Sequence, residues 1–301
     1  SPHSLTGTGL GVAFAIVVTG YIGFEAAAVF SEETRVFDRT VPAAAYLALA
    51  LMAALYAGSA WAMSVAIGPA NLHSAAQAHA TMLPFAAANL GHLVADIGRV
   101  LFVTSLLAAA LSFHNTVARY AFALGRERVL PAWLGRTSAR SGAPKYASLT
   151  QSTVAFAVIV GYAASGTDPM VTLFFRLSTS GAFGVLLLVT ATSVAVIGFL
   201  ARHRAGETIW QRLVAPSLAF IGLAVIVYLI YANFAGLLGV DENSLLSSIF
   251  PVGYVVLAAG GVAWALYLRR FRPDVYAAIG LGTPAPAARI ATTPTVHPST
   301  I

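Results

Sequence analysis

The sequence predicts an all-α polytopic membrane protein in which seven transmembrane helices form one bundle. Three observations carry that expectation. Of 301 residues, 58% are hydrophobic and 9% charged, with a mean hydropathy of +0.80, whereas a soluble domain carries about 25% charged residues. Seven apolar stretches approach or exceed the roughly 20 residues needed to cross the hydrocarbon core. Outside those stretches, the arginines and the single lysine fall in alternate loops.

The spans are roughly 9–30, 42–67, 97–124, 148–165, 170–200, 213–236 and 249–268, within a bundle covering 1–275. The first is broken by Gly20 and Gly23 and carries an acid, Glu25. A charged collar follows, and Val41-Pro42 opens the second span. The fourth is short, and the fifth is long enough to require tilt or a bend. Segment 68–91, rich in Ala, His, Gln and Asn, suits short helices on one surface. Segment 125–145 reads as a basic amphipathic connector with Leu130, Trp133 and Leu134 on its apolar face. The Pro/Thr/Ala-rich tail, 276–301, is expected to be disordered and cytoplasmic. Trp61, Trp133, Trp210, Tyr254, Trp264 and Tyr267 suit interfacial anchors.

Loops after odd spans hold Arg35 and Arg39, then Arg126, Arg128, Arg136, Arg140 and Lys145, then Arg202, Arg204 and Arg212, and last Arg269, Arg270 and Arg272. Loops after even spans (68–96, 166–169 and 237–248) hold no Lys or Arg. The positive-inside rule then puts the N-terminus outside and the C-terminus in the cytoplasm; the expected location is a bacterial inner (plasma) membrane. The same topology accounts for a pI near 9.8 without nucleic acid. There is no cysteine, which excludes disulfides and thiolate metal sites. The chain begins at Ser1, with no basic region ahead of 10–18. We expect a fragment rather than a signal peptide.

Glu25 is the leading functional candidate. Burying a carboxylate at membrane depth costs at least about 2.5–3.5 kcal/mol. One reading is a protonatable gate or ion-coupling group hydrogen-bonded by freed backbone amides; the other is a helix-end acid that reaches the collar. Gly20 and Gly23 permit unwinding between 19 and 24, although such spacing also serves helix packing. Phe113-His114-Asn115 and Arg119 form a polar patch in the third span. It faces either a transport pathway, with Phe113 as an aromatic wall, or a neighbouring helix. Asp96 and Arg99 suit a local surface pair, and Arg176 a snorkelling side chain at the outer interface. His73, His79 and His92 lack the spacing of a metal motif, so no metal or cofactor is expected, and no nucleophile–base set suggests an enzyme.

The run GFEAAAVFSEETRVFDRTVP resembles the sixth-helix signature of the amino acid–polyamine–organocation (APC) permeases. Gly23-Phe24-Glu25, Glu32-Glu33, Arg39 and Val41-Pro42 match, while Asp38 departs from the family's usual proline. LSFHNTVARYAFALGRERVLPAWLG resembles the eighth helix and its following loop. Gly142-Ala143-Pro144 and the SLTQ run resemble the start of the ninth. The resemblance implies helices six to twelve of a LeuT-like fold, incomplete here because helices one to five are absent from this chain. It implies a substrate site at Thr19, Gly20, Tyr21, Gly23 and Phe24, with Phe113 as a wall and Glu25 as a gating or coupling acid.

The expected function is therefore secondary active transport of amino acids by alternating access, through the C-terminal part of a permease. The expected partners are an amino acid or polyamine substrate, a proton or exchanged substrate, the lipid bilayer and the missing helices. The alternatives are a non-transporting truncated or regulatory fragment, or a seven-helix receptor. A retinal protein is excluded, because the one lysine, Lys145, lies in a loop rather than in the last helix.

Overall fold

The computed structural model describes residues 9–31, 34–68, 71, 82–202, 208–241 and 243–281. Among these residues every regular element is helical. The elements are α1 (Gly9–Thr19), α2 (Ala26–Val29), α3 (Phe37–Ile67), α4 (Met82–Leu90), α5 (His92–Arg126), α6 (Lys145–Ser165), α7 (Leu177–Arg202), α8 (Ala215–Ala232), α9 (Phe234–Leu238), α10 (Leu245–Phe271) and α11 (Pro273–Ala278). Among the described residues, six helical stretches are long and apolar enough to cross a membrane: Arg39–Ile67, His92–Arg126, Lys145–Ser165, Val171–Arg202, Trp210–Ala232 and Leu245–Phe271. They coincide with the second to seventh expected spans. The first expected span is not one helix: it is divided into α1 and α2 by the turn at residues 20–25.

Several boundaries differ from expectation for identifiable reasons. α3 begins at Phe37 and carries Pro42 inside it, so Asp38 and Arg39 at the end of the collar belong to the helix. α5 has 35 residues, about 52 Å at 1.5 Å per residue, which exceeds a core of about 30 Å. The long fifth span opens with a π-helical stretch, Pro169–Arg176, whose wider turns redirect the chain before α7. A second π-helical stretch, Trp210–Val214, leads into α8. The sixth span bends at Asn233, whose side-chain amide donates to the Leu229 carbonyl at 2.8 Å. Of the tail expected from 276, Tyr276–Ala278 lie in α11; residues 282–301 lie outside the described set, as do His73 and His79.

Residue contacts divide the chain into two compact units: Ser1–Ala110 with Ile159–Leu257, and Leu111–Val158 with Ala258–Ile301. In the first, α7 packs on α8 around Phe183, Leu186, Ile230, Phe234 and Leu238, with Val18 of α1 and Tyr254 of α10 against them. Tyr254 is no interfacial anchor. Its hydroxyl donates to the Ser180 carbonyl at 2.7 Å, and its ring lies where a Cβ on Gly184 would be 2.6 Å away. Arg176 does not simply snorkel either: its Nε donates to the Leu238 carbonyl at 3.2 Å. In the second unit the core is Ala118, Leu134 and Ala147. Of the connector's expected apolar face, Leu134 is buried while Leu130 and Trp133 remain partly exposed. Large apolar side chains along α3 and α5 are exposed, a surface that suits contact with lipid.

Candidate functional site

α1 is apolar throughout, and nothing in its composition ends it before Thr19. The stop comes from the glycines. Gly20 retains helical hydrogen bonding to Ile16 and Val17, and the turns that follow are tighter. Tyr21 N–H donates to the Val18 carbonyl, Ile22 to Thr19, Phe24 to Tyr21 and Ala26 to Gly23, at 3.0–3.4 Å. Gly23 has φ 116°, a conformation that L side chains rarely adopt. A helix that stops leaves carbonyls and amides without intrahelical partners, and side chains take two of them. The Gly23 N–H donates to Glu25 Oε2 at 2.8 Å. Tyr56 of α3 donates its hydroxyl to the Gly20 carbonyl at 2.9 Å.

The acid expected to sit beside unwound backbone is thus bonded to that backbone. Its carboxylate turns back to the Gly23 amide within the break. Thr19 is committed inside α1, its hydroxyl donating to the Ile16 carbonyl at 2.8 Å. Tyr21 meets Tyr56 edge to face, with ring centroids 5.6 Å apart. Of the seven candidate residues, Gly20, Tyr21, Gly23, Phe24 and Glu25 therefore share this single turn, and Thr19 ends the helix that leads into it. Residues Glu32 and Glu33 of the collar lie outside the described set.

Tyr56 is the residue that sequence reasoning missed. The available signal was a phenol inside an apolar span, where a hydroxyl needs a hydrogen-bond partner.

Phe113 belongs to the second unit, where it is partly exposed on α5. Its neighbours His114 and Asn115 line a cleft of about 430 Å³ together with Lys145 and Ser148. His114 Nε2 lies 2.9 Å from Ser148 Oγ, and Arg119 Nε donates to Asn115 Oδ1 at 3.2 Å. The patch is thus hydrogen-bonded within α5 and to α6, which is the packing alternative for His114 and Arg119. Asp96 and Arg99 form the expected exposed ion pair.

Helices broken beside polar groups recur at the binding sites of membrane transporters. The family described as amino acid permease matches residues 2–259, and the chain belongs to that family. Its all-α, multi-helix structure is consistent with the LeuT-like fold implied by the sequence. Among curated proteins it is similar to an uncharacterised transporter of Mycobacterium bovis and to two uncharacterised transporters of Mycobacterium tuberculosis strains. Each is 34% identical over 139 residues, 46% of this chain and 31% of the relative. The chain thus aligns with about a third of the length of these relatives. No solved structure matches it.

Proposed function

We propose that the chain is part of a secondary active amino acid transporter working by alternating access, with the break at residues 19–25 as its substrate site and gate. The observation that carries this reading is the Glu25 carboxylate bonded to the Gly23 amide inside an interrupted helix, in a member of the amino acid permease family. Amides and carbonyls freed by a broken membrane helix suit the carboxylate and ammonium of an amino acid. Thr19, Gly20, Tyr21, Gly23 and Phe24 line the substrate in this proposal, and Glu25 gates. A substrate carboxylate reaching the break competes for the Gly23 N–H, and its arrival releases Glu25. Phe113 is proposed as a further substrate contact, to be tested separately by Phe113→Ala. The driving force is a proton or an exchanged substrate, and further helices complete the site. The arginine pattern supports an outside N-terminus and a cytoplasmic C-terminus in the plasma membrane.

The test is uptake into proteoliposomes by the gene product that contains this chain. The substrates are neutral amino acids, cationic amino acids and polyamines, with and without an imposed pH gradient or internal exchange substrate. One substrate class is taken up saturably, and Glu25→Gln and Gly23→Leu each lower uptake by at least about tenfold, equivalent to about 1.4 kcal/mol at the limiting barrier. Wild-type uptake by both variants sinks the proposal.

A further inference from the structure

The connector after α5 holds a second candidate site, in the second unit and independent of the substrate reading. α5 ends at Arg126, and the chain turns sharply: the Val129 and Leu130 amides both donate to the Leu124 carbonyl, at 3.0 and 3.1 Å. Arg128 takes a left-handed backbone, φ 63°, which strains a residue with a Cβ. Side chains clamp the turn to α10 and to the residue that follows Ile279. Trp264 of α10 donates its indole N–H to the Val129 carbonyl at 3.0 Å, and the Gly280 N–H donates to the Glu127 carboxylate at 3.1 Å. The result is a cleft of about 510 Å³ whose lining includes Arg128, Val129, Pro131, Trp264 and Arg272.

Its charge is one-sided. Arg128 and Arg272 are exposed, and neither guanidinium has an ion-pair partner among the described residues. The nearby carboxylate of Glu127 is turned to Gly280, and Asp274 sits in the first turn of α11. Beside the cleft, Trp264 stacks on Tyr267 at 5.3 Å, and Tyr267 lies against Phe271 at 4.9 Å. Aromatic ladders at the end of a membrane helix mark the headgroup level. Guanidinium groups bind phosphate bidentately, and Val129 and Pro131 offer an apolar wall to a glycerol backbone. We propose that this cleft binds the phosphate of an anionic phospholipid headgroup. A strained Arg128 held by two clamps fits a fixed site better than a diffuse basic surface does.

The experiment uses the gene product that contains this chain, in detergent. Retention of phosphatidylglycerol and of phosphatidylcholine is read by native mass spectrometry, with inorganic phosphate as a competitor. Phosphatidylglycerol is retained in preference. Arg128→Asn and Arg272→Gln each weaken retention about fivefold, and together about thirtyfold. The control pair Arg136→Gln with Arg140→Gln, outside the cleft, changes it by less than about twofold. Equal retention of the two lipids, an unaffected double variant, or an equal loss in the control pair overturns the site. Full displacement by millimolar phosphate overturns the lipid assignment in favour of a free anion. Should Arg128→Asn lower the melting temperature, Arg272→Gln carries the test, because the α11 cap uses the main-chain carbonyl of Arg272.

Discussion

At Thr19 a membrane helix stops in a turn whose glycine, Gly23, has φ 116° and no atom within 4 Å of a Cβ built there. After Arg126 the chain turns where a Cβ built on Gly125 would lie 2.5 Å from the Gly135 nitrogen. Both turns need glycine, the first for its backbone angle and the second for lack of room. The first is held by side chains donating to or accepting from single backbone groups, at Glu25 and Tyr56. The second has backbone packed against backbone, with Leu134 buried beside it and Trp264 and Glu127 clamped across it. A few exchangeable hydrogen bonds can be traded for bonds to a ligand. Close-packed backbone cannot move without losing its contacts. The difference separates a turn suited to rearrangement from one suited to holding a surface fixed.

The largest effect is expected at the packed turn. Gly125→Ala drives a methyl into the Gly135 nitrogen and Leu134 and lowers stability by about 1–3 kcal/mol, read as an earlier thermal transition in detergent. Gly23→Val follows, with about 1–3 kcal/mol of backbone strain and nothing within 4 Å of the added Cβ. Its melting temperature therefore falls no further than that of Gly125→Ala, while uptake suffers more. A Gly23→Val variant with wild-type uptake and a collapsed melting curve would reverse the comparison. Tyr56→Phe removes the bond to the Gly20 carbonyl and costs about 0.5–1.5 kcal/mol; amide hydrogen exchange rises in residues 20–25 and not in 125–136. The smallest change belongs to Asp96→Asn, which breaks an exposed pair worth about 0–1 kcal/mol and leaves melting and uptake nearly unchanged.

Much of this was legible in residues. A stretch as apolar as α7 or α8 has one stable form in lipid, so spans could be read from length and hydropathy alone. The break was legible because two glycines and an acid conflict with an uninterrupted membrane helix. Other features were not. Tyr254 reads as an interfacial anchor by position, yet the gap at Gly184 draws it into the core and its hydroxyl onto Ser180. Arg176 reads as a snorkelling base until Leu238, 62 residues away, supplies a carbonyl. Tyr56 drew no notice because its partner, Gly20, is 36 residues distant.

The sequence by itself determined the membrane class, the six long spans, the interrupted first span and membership of a permease family. These follow from hydropathy, helix length and short motifs, all local properties. Only the tertiary structure decided which freed carbonyl meets Tyr56, which amide holds Glu25, and that Arg128, Arg272 and Trp264 share one cleft. Hydrogen bonds and charges act over a few ångströms, and the residues that come that close are chosen by how helices pack, not by their order in the chain.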